Sequence, residues 1–238
     1  KYKWLTGVHV HIGSQGCSLE LFLKGVQTVY KFSEEVNQEH KSKRILTFDI
    51  GGGFPVSYNK NIKPPSIDTY AKKLKIICPK LFDGSYQLVT EFGRWIFANS
   101  AFTASKVEYV KRDDKINTAM IHVGADLFVR RTYHPQEWNH DFSVCDKNGN
   151  EKSGKDKNKY VIAGPLCFAG DILAKDISLP KMAEGDWFLI HDTGAYTLSM
   201  VSRYNSRQIP KIIAVDGERK ILLKKRETRG SIYNFWNV

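Results

Sequence analysis

Up to about residue 100 the chain alternates two hydrophobic periods; beyond it only the shorter one continues, and that switch constrains the fold most. Residues 5–12 alternate about His9 and His11 as a strand does. Ser18 then precedes Leu19, Phe22, Leu23, Val26, Val29, Tyr30 and Val36, which share one face at helical spacing, with the Ser18 hydroxyl placed to cap them. Residues 44–50 read as a short buried strand that runs straight into Gly51-Gly52-Gly53. A helix from about Ser66 to Cys78 and a strand at 87–91 complete the series. Strands separated by helices predict parallel βα units.

After Ser100 the helical period disappears. Strand-like runs at 106–111 and 116–123 flank Asp113-Asp114, and the run at 142–145 leads to the hairpin signal Asn148-Gly149. Residues 147–159 are so charged that a solvated loop is expected, and 194–203 has the pattern of a helix. Runs at 160–163, 186–191, 212–215 and 221–223 complete a β-rich half. The expected domains are therefore 1–100 and 101–238. Three βα units cannot close a barrel, which needs eight strands, and alone they leave open sheet edges. The first half is either another fold or the end of a barrel whose earlier strands lie upstream.

Composition excludes several classes. Hydrophobic residues make up 42% and charged residues 26%, as in soluble globular proteins. No apolar run approaches the ~20 residues that span a bilayer, and no signal peptide opens the chain, so no membrane partner is expected. Cys17, Cys78, Cys145 and Cys167 fit no zinc spacing. They read as thiols of a reducing, cytoplasmic compartment, and no metal site is expected. The formal charge of +11 is spread along the chain. Its densest cluster, Lys220 to Arg229, alternates basic and apolar stretches as an edge strand does, with no interleaved aromatics to stack on bases. A solvated basic face is expected rather than a nucleic-acid surface, with some of the charge serving a phosphorylated cofactor and acidic substrates.

The chemistry gathers where the predicted strands end. His11 and Ser14 follow the first strand, Gly51, Gly52 and Gly53 the second, and Glu91 and Arg94 the third. In a parallel barrel those three loops open on one face, the face that carries active sites. A glycine-rich turn bares backbone N–H groups to a phosphate, and Ser14 adds a hydroxyl. Singly, each piece has a plainer reading: a tight turn, a core histidine, a Glu91–Arg94 ion pair, and for Cys167 a small buried apolar residue. Together they describe a phosphorylated ligand beside a carboxylate.

Five ordered motifs carry a resemblance. They are Gly7-Val-His-Val-His-Ile-Gly-Ser-Gln15, Asp49-Ile-Gly-Gly-Gly53, Glu91-Phe-Gly-Arg94, Gly164-Pro-Leu-Cys167 with Gly170-Asp171, and Gly194-Ala-Tyr196. In order and spacing the chain resembles, from Gly7 to about Glu227, the fold-type III pyridoxal-phosphate decarboxylases of diaminopimelate, ornithine and arginine. The Ser-Gln ending of the first motif is most similar to the diaminopimelate enzymes. The resemblance implies the last three βα units of an incomplete alanine-racemase-like TIM barrel, followed by a C-terminal β-rich Greek-key barrel or sandwich domain. It implies pyridoxal 5'-phosphate as cofactor. His11 would stack on its ring, Ser14 and Gly51 to Gly53 would hold its phosphate, and Glu91 would pair with its pyridine nitrogen. Arg94, beside Gly93, would reach the phosphate or the substrate carboxylate, and Tyr196 would close over the cofactor. Cys167 would be the general acid, supplied across a head-to-tail homodimer to the other subunit's site, with His11 the other residue at the reacting centre.

The stretch Gly124-Ala-Asp-Leu-Phe-Val-Arg130 aligns Arg130 with a substrate-binding arginine, and Tyr133 or His134 takes the place of a nearby tyrosine. Asp171 is a further candidate for the small amino-acid substrate. Phe92 and Arg131 stand where the family has prolines, and Phe168 where the diaminopimelate enzymes have a glutamate that binds the distal amino group. The family's Schiff-base lysine motif, similar to Ala-Val-Lys-Ala-Asn, does not occur in the sequence. The lysine-bearing barrel segment is therefore expected in cis, in a longer protein, or in trans, on a separate chain. The implied reaction is decarboxylation of a basic or diamino amino acid, first meso-diaminopimelate to lysine in lysine biosynthesis, then D-ornithine or D-lysine. An inactive homologue acting by dimerisation and a racemase of the related barrel class are the readings from other classes.

Overall fold

Three parallel strands with two intervening helices build the chain through Ala101, and a second compact unit begins at Phe102. This computed structural model describes residues 2–40, 43–61, 63–154 and 156–237. In the first unit β1 (Gly7–His9), α1 (Leu19–Glu39), β2 (Thr47–Gly52), α2 (Ile67–Ile77), β3 (Gln87–Glu91) and the short α3 (Gly93–Phe97) follow one another. The sheet order is β1-β2-β3, with Gly7 opposite Thr47 and Thr47 opposite Gln87. Among the described residues β1 and β3 each pair on one side only, so both edges of the sheet are open.

The helices form where the sequence places them. The Ser18 hydroxyl accepts from the Leu21 N–H at 3.2 Å, and the Ser66 hydroxyl from that of Thr69 at 3.4 Å. On α1, Phe22 and Val26 are buried in one cluster with Phe48 and Ile50 of β2 and Tyr70 and Leu74 of α2. Buried Ser33 satisfies its hydroxyl on the Val29 carbonyl, 2.9 Å away. Phe92 packs its ring 5.6 Å from Phe54 and 6.3 Å from Tyr70. The position that resembles a turn proline thus contributes to the core instead.

The second unit contains β4 (Thr103–Lys111), β5 (Asn117–Ile121), α4 (Val129–Tyr133), β6 (Phe142–Cys145), β7 (Lys157–Ala163), β8 (Ile172–Pro180), β9 (Trp187–Ile190), β10 (Ile212–Asp216), β11 (Arg219–Lys224) and α5 (Arg229–Trp236). Six strands form one mixed sheet in the order β6-β9-β4-β5-β7-β8, in which only β5 and β7 run parallel. β10 and β11 make a separate antiparallel hairpin. The core is built on Val107, Ile121, Tyr160, Ile162, Leu173, Phe188 and Ile190, and the Tyr160 hydroxyl accepts the Met182 N–H at 3.0 Å.

Four expectations differ from this architecture. The first strand spans only Gly7–His9, because its ladder to β2 runs from Thr47 to Asp49. The charged stretch expected to be a loop gives way to β7 at Lys157: residues 157–159 pair with β8 beyond the end of β5, where a hairpin arm needs no apolar face. Residue 155 of that stretch lies outside the described residues. The helix expected at 194–203 is absent; Tyr196 has φ 57°, which no right-handed helix accommodates, and only a 3₁₀ turn at Leu198–Met200 forms. Finally, β8 was not expected, because Lys175 and Asp176, at φ 54°, interrupt its alternation. No helix among the described residues is long and apolar enough to cross a membrane.

Candidate functional site

In the first unit the C-terminal ends of all three strands converge. At Gly51 and Gly53 φ is +69° and +83°, and a Cβ would run into the backbone of Val10 and Gly13 respectively. Only glycine therefore lets the end of β2 lie against the loop after β1. The Asp49 carboxylate fixes the turn by accepting the Gly51 N–H at 2.8 Å, and the Gly52 N–H points at His11 Nδ1, 3.4 Å away. Gln15 ties the same loops together: its amide donates to the Val56 carbonyl at 2.5 Å and accepts the Val56 N–H at 3.1 Å.

Glu91, at the end of β3, places Oε2 3.5 Å from His9 Nε2 and 4.0 Å from His11 Nδ1, with all three side chains about half exposed. Arg94 is 4% exposed; it donates to the Tyr58 hydroxyl at 2.9 Å and to Ser14 Oγ at 3.1 Å. A Cβ at Gly93 would meet nothing within 4 Å, so the backbone there is open. One rim thus holds a carboxylate, two imidazoles, a hydroxyl, a guanidinium and a glycine turn.

The second unit carries a separate set. Cys167 is exposed on a loop whose backbone is tied down on both sides. The buried Asp171 carboxylate accepts the Ala125 N–H at 2.6 Å and the Leu166 N–H at 2.7 Å, and Gly124 and Gly164 lack the Cβ that would strike it. Burial pushes the Asp171 carboxyl up, and those two N–H groups pull it back. Arg130 lies 5.0 Å from the ring centres of both Trp138 and Tyr196. A left-handed φ of 57° at a residue as bulky as Tyr196 is strained, and strain of this kind clusters at functional sites. A cleft of about 340 Å³ is lined by Ala125, Asp126, Tyr133, Leu166, Phe168 and Tyr204, among others. Tyr133 and Phe168 stack in it at 6.0 Å, whereas His134 lies beside Glu137.

The residues expected to hold a phosphorylated ligand, His11, Ser14, Gly51 to Gly53, Glu91, Gly93 and Arg94, are thus brought together in the first unit. Cys167, Arg130, Tyr133, Asp171 and Tyr196 lie in the second. Asp171 is spent on backbone N–H groups. Arg131, in place of a proline, is buried and donates to the Leu173 carbonyl at 2.7 Å and the Pro135 carbonyl at 3.1 Å. Sequence reasoning missed His9, although the strand expected at 5–12 put it on one face with His11. It also missed Tyr58 and the Tyr204-Asn205 pair, which no local pattern signals.

Comparison with known proteins identifies the family. Residues 27–194 match the family described as pyridoxal-dependent decarboxylase, C-terminal sheet domain. The diaminopimelate decarboxylase of Buchnera aphidicola subsp. Acyrthosiphon pisum is 32% identical over 245 residues, covering 98% of this chain and 57% of that protein. The Methanocaldococcus jannaschii diaminopimelate decarboxylase, solved in co-complex with L-lysine, superposes with a TM-score of 0.85 at 28% identity, over 98% of this chain and 52% of its own. The Helicobacter pylori enzyme complexed with L-lysine gives 0.83 at 27%, over 97% and 54%. The chain spans about half the length of the relatives it matches. With its motifs, its sheet domain and a family match over most of its length, the chain belongs to the pyridoxal-dependent decarboxylases.

Proposed function

We propose that this chain supplies the phosphate cradle, the ring-facing carboxylate and the proton donor of an enzyme that decarboxylates meso-diaminopimelate to lysine. In this reading residues 1–100 are the last three βα units of a TIM barrel. Residues 101–238 are the β-domain that carries the general acid and the homodimer contacts, and the cofactor lysine lies in a barrel segment joined in cis or in trans. The two open edges of the β1-β2-β3 sheet are what an interrupted barrel would leave. The observation that carries the reading is the convergence of the three strand ends on one rim.

The donor set on that rim fits pyridoxal 5'-phosphate. Ser14 Oγ accepts from Arg94, which leaves its own hydrogen for a phosphate oxygen, and the Arg94 guanidinium brings a positive charge to the same place. Glu91 presents a half-exposed carboxylate that would hold a protonated ring nitrogen, and His11 beside it offers a flat face to the ring. The bound cofactor supplies the sink for the electron pair left when carbon dioxide departs. Arg130, packed against two aromatic rings, would orient a substrate carboxylate. Cys167 would return the proton from Sγ.

A second reading of the substrate is open, because among the described residues no acidic side chain lining this part of the second unit is left to single out the distal amino-acid group of diaminopimelate. Phe168 has no charge for a distal ammonium, the Asp171 carboxylate is used by Ala125 and Leu166, and Asp126 is bound to the Gly124 N–H at 3.0 Å and to Arg207 at 3.3 Å. A monocarboxylic substrate such as D-ornithine or D-lysine is the alternative. The deciding measurement is kcat/KM of the complete enzyme on meso-diaminopimelate against the D- and L-forms of lysine and ornithine. Preference for diaminopimelate is expected, and preference for any monocarboxylic substrate overturns it.

A further inference from the structure

We propose that Tyr204 and Asn205 are positioning residues that aim the Cys167 thiol. The inference rests on the reading of Cys167 as proton donor. Both polar groups of the Cys167 backbone are held by this one dipeptide: the Cys167 N–H donates to Asn205 Oδ1 at 2.9 Å, and the Tyr204 hydroxyl donates to the Cys167 carbonyl at 2.7 Å. The neighbouring peptides are held as well, Leu166 by the Asp171 carboxylate and Phe168 by the Leu166 carbonyl at 2.8 Å. With its backbone fixed at both ends, Cys167 keeps only χ1 to place Sγ, which is exposed.

The grip is itself braced. Asn205 and Ser206 have φ of 56° and 52°. Asparagine is among the few residues that enter this region readily, and here its amide is also the acceptor. On one side Arg203 makes a two-pronged pair with Glu227, one prong at 2.8 Å, and Glu227 in turn accepts the Ile209 N–H at 2.8 Å. On the other side Arg207 reaches the buried Asp126 carboxylate at 3.3 Å. A turn that served only to connect β9 to β10 would need neither a strained backbone nor two bracing cations. A general acid gains from being held within reach of one atom, and misplacement by an ångström is costly.

The test uses the complete holoenzyme. Tyr204→Phe removes one grip and keeps the ring; Asn205→Gly removes the other and keeps the left-handed backbone; Asn205→Asp restores an acceptor. General acid catalysis contributes ~10²–10⁴-fold, so loosening the donor should lower kcat ~10-fold or more with KM moved little. Turnover in D₂O adds a readout that a loss of stability would not move. Wild type should deliver the deuteron to one face of the product carbon, Tyr204→Phe and Asn205→Gly to both, and Asn205→Asp again to one. Wild-type kcat and single-face delivery in the two loosened variants would overturn the proposal, as would a fall in Tm with normal kcat per folded enzyme. Cys167→Ala separates the two levels: if it too leaves rate and stereochemistry unchanged, Cys167 is not the donor and both readings fail; if it is impaired while the loosened variants are not, only the positioning role fails.

Discussion

Replacing Asp171 distinguishes a residue that binds substrate from one that builds the loop, because the structure assigns both its oxygens. Asp171 is 4% exposed and accepts the Ala125 and Leu166 N–H groups at 2.6 and 2.7 Å. Asp171→Asn keeps the shape but turns an NH₂ toward one of those donors. It forfeits one hydrogen bond to a charged acceptor, about 1.5–3 kcal/mol. Burial pushes the carboxyl up, so the ionised form already costs something and the net loss falls toward the lower end of that range. Asp171→Ala leaves the buried Ala125 N–H and the part-buried Leu166 N–H without an acceptor, at about 1–3 kcal/mol for the buried one and less for the other. Urea unfolding of the complete protein should therefore rank wild type above Asn above Ala, with the midpoint shifting at constant slope. Gly164→Ala, whose Cβ would strike the same carboxylate, should cost less in the Asp171→Ala background than in wild type. The ratio of kcat/KM between diaminopimelate and lysine should not change in Asp171→Asn. A neutral Asp171→Asn, strict additivity with Gly164→Ala, or a changed substrate ratio would refute the loop-building role.

Four further outcomes follow. Gly53→Ala, at φ +83° with its Cβ against Gly13, should weaken pyridoxal 5'-phosphate binding ~10-fold or more in a titration followed by absorbance. Phe168→Glu should raise kcat/KM for substrates with a distal ammonium over those without by ~10-fold, the worth of a charge-assisted bond, and an unchanged ratio would remove Phe168 from that subsite. Burial lowers the pKa of His140 from 6.5 to about 4, its Nδ1 lying 2.7 Å from the His191 carbonyl. A depressed histidine pKa leaves stability intact above pH 6.5 and erodes it toward pH 4, by about 3 kcal/mol in all, and a His140→Gln variant should lose that slope in urea titrations across the window. Borohydride treatment of the 238-residue chain with pyridoxal 5'-phosphate should give no stoichiometric adduct at one lysine, which mass spectrometry of the digest would check.

What was legible in the sequence depended on local chemistry. Both long helices of the first unit were readable from their helical spacing, α1 also from its Ser18 cap, which acts within three residues. The strand Gln87–Glu91 and the strands β10 and β11 were marked by their apolar pattern, and their pairing as a hairpin is set by the structure. The strand β8 was not, because its register is set by β7 and its apolar alternation breaks at Asp176. The helix expected at 194–203 failed for a related reason: tertiary packing holds Tyr196 left-handed with its ring beside Arg130 and Trp138, and nothing local announces it. At the site, the strand-end motifs were readable because a parallel sheet brings strand ends together whatever lies between them. The hold of Tyr204 and Asn205 on Cys167 spans 37 and 38 positions of chain, with β8 and β9 between them, a separation at which no periodic signal survives.

The polar residues of these motifs divide by what their hydrogen-bonding atoms face, and the division assigns their work more sharply than the motifs do. Gln15, Asp171 and Asn205 spend side-chain oxygens on backbone N–H groups of neighbouring loops, and Asp49 spends one on the Gly51 N–H of its own turn. They act as loop fasteners, whose loss leaves donors unsatisfied and loosens geometry. His9, His11, Glu91 and Cys167 keep half-exposed or exposed side chains on those same loops. Exposed groups held on a rigid backbone are the ones free to meet a ligand. Arg94 combines the two characters: its head is buried, yet it reaches Ser14, whose hydroxyl belongs to the rim. A lysine there could not span Tyr58 and Ser14 with a planar fork, so Arg94 is where a conservative exchange should disturb fastening and ligand binding together.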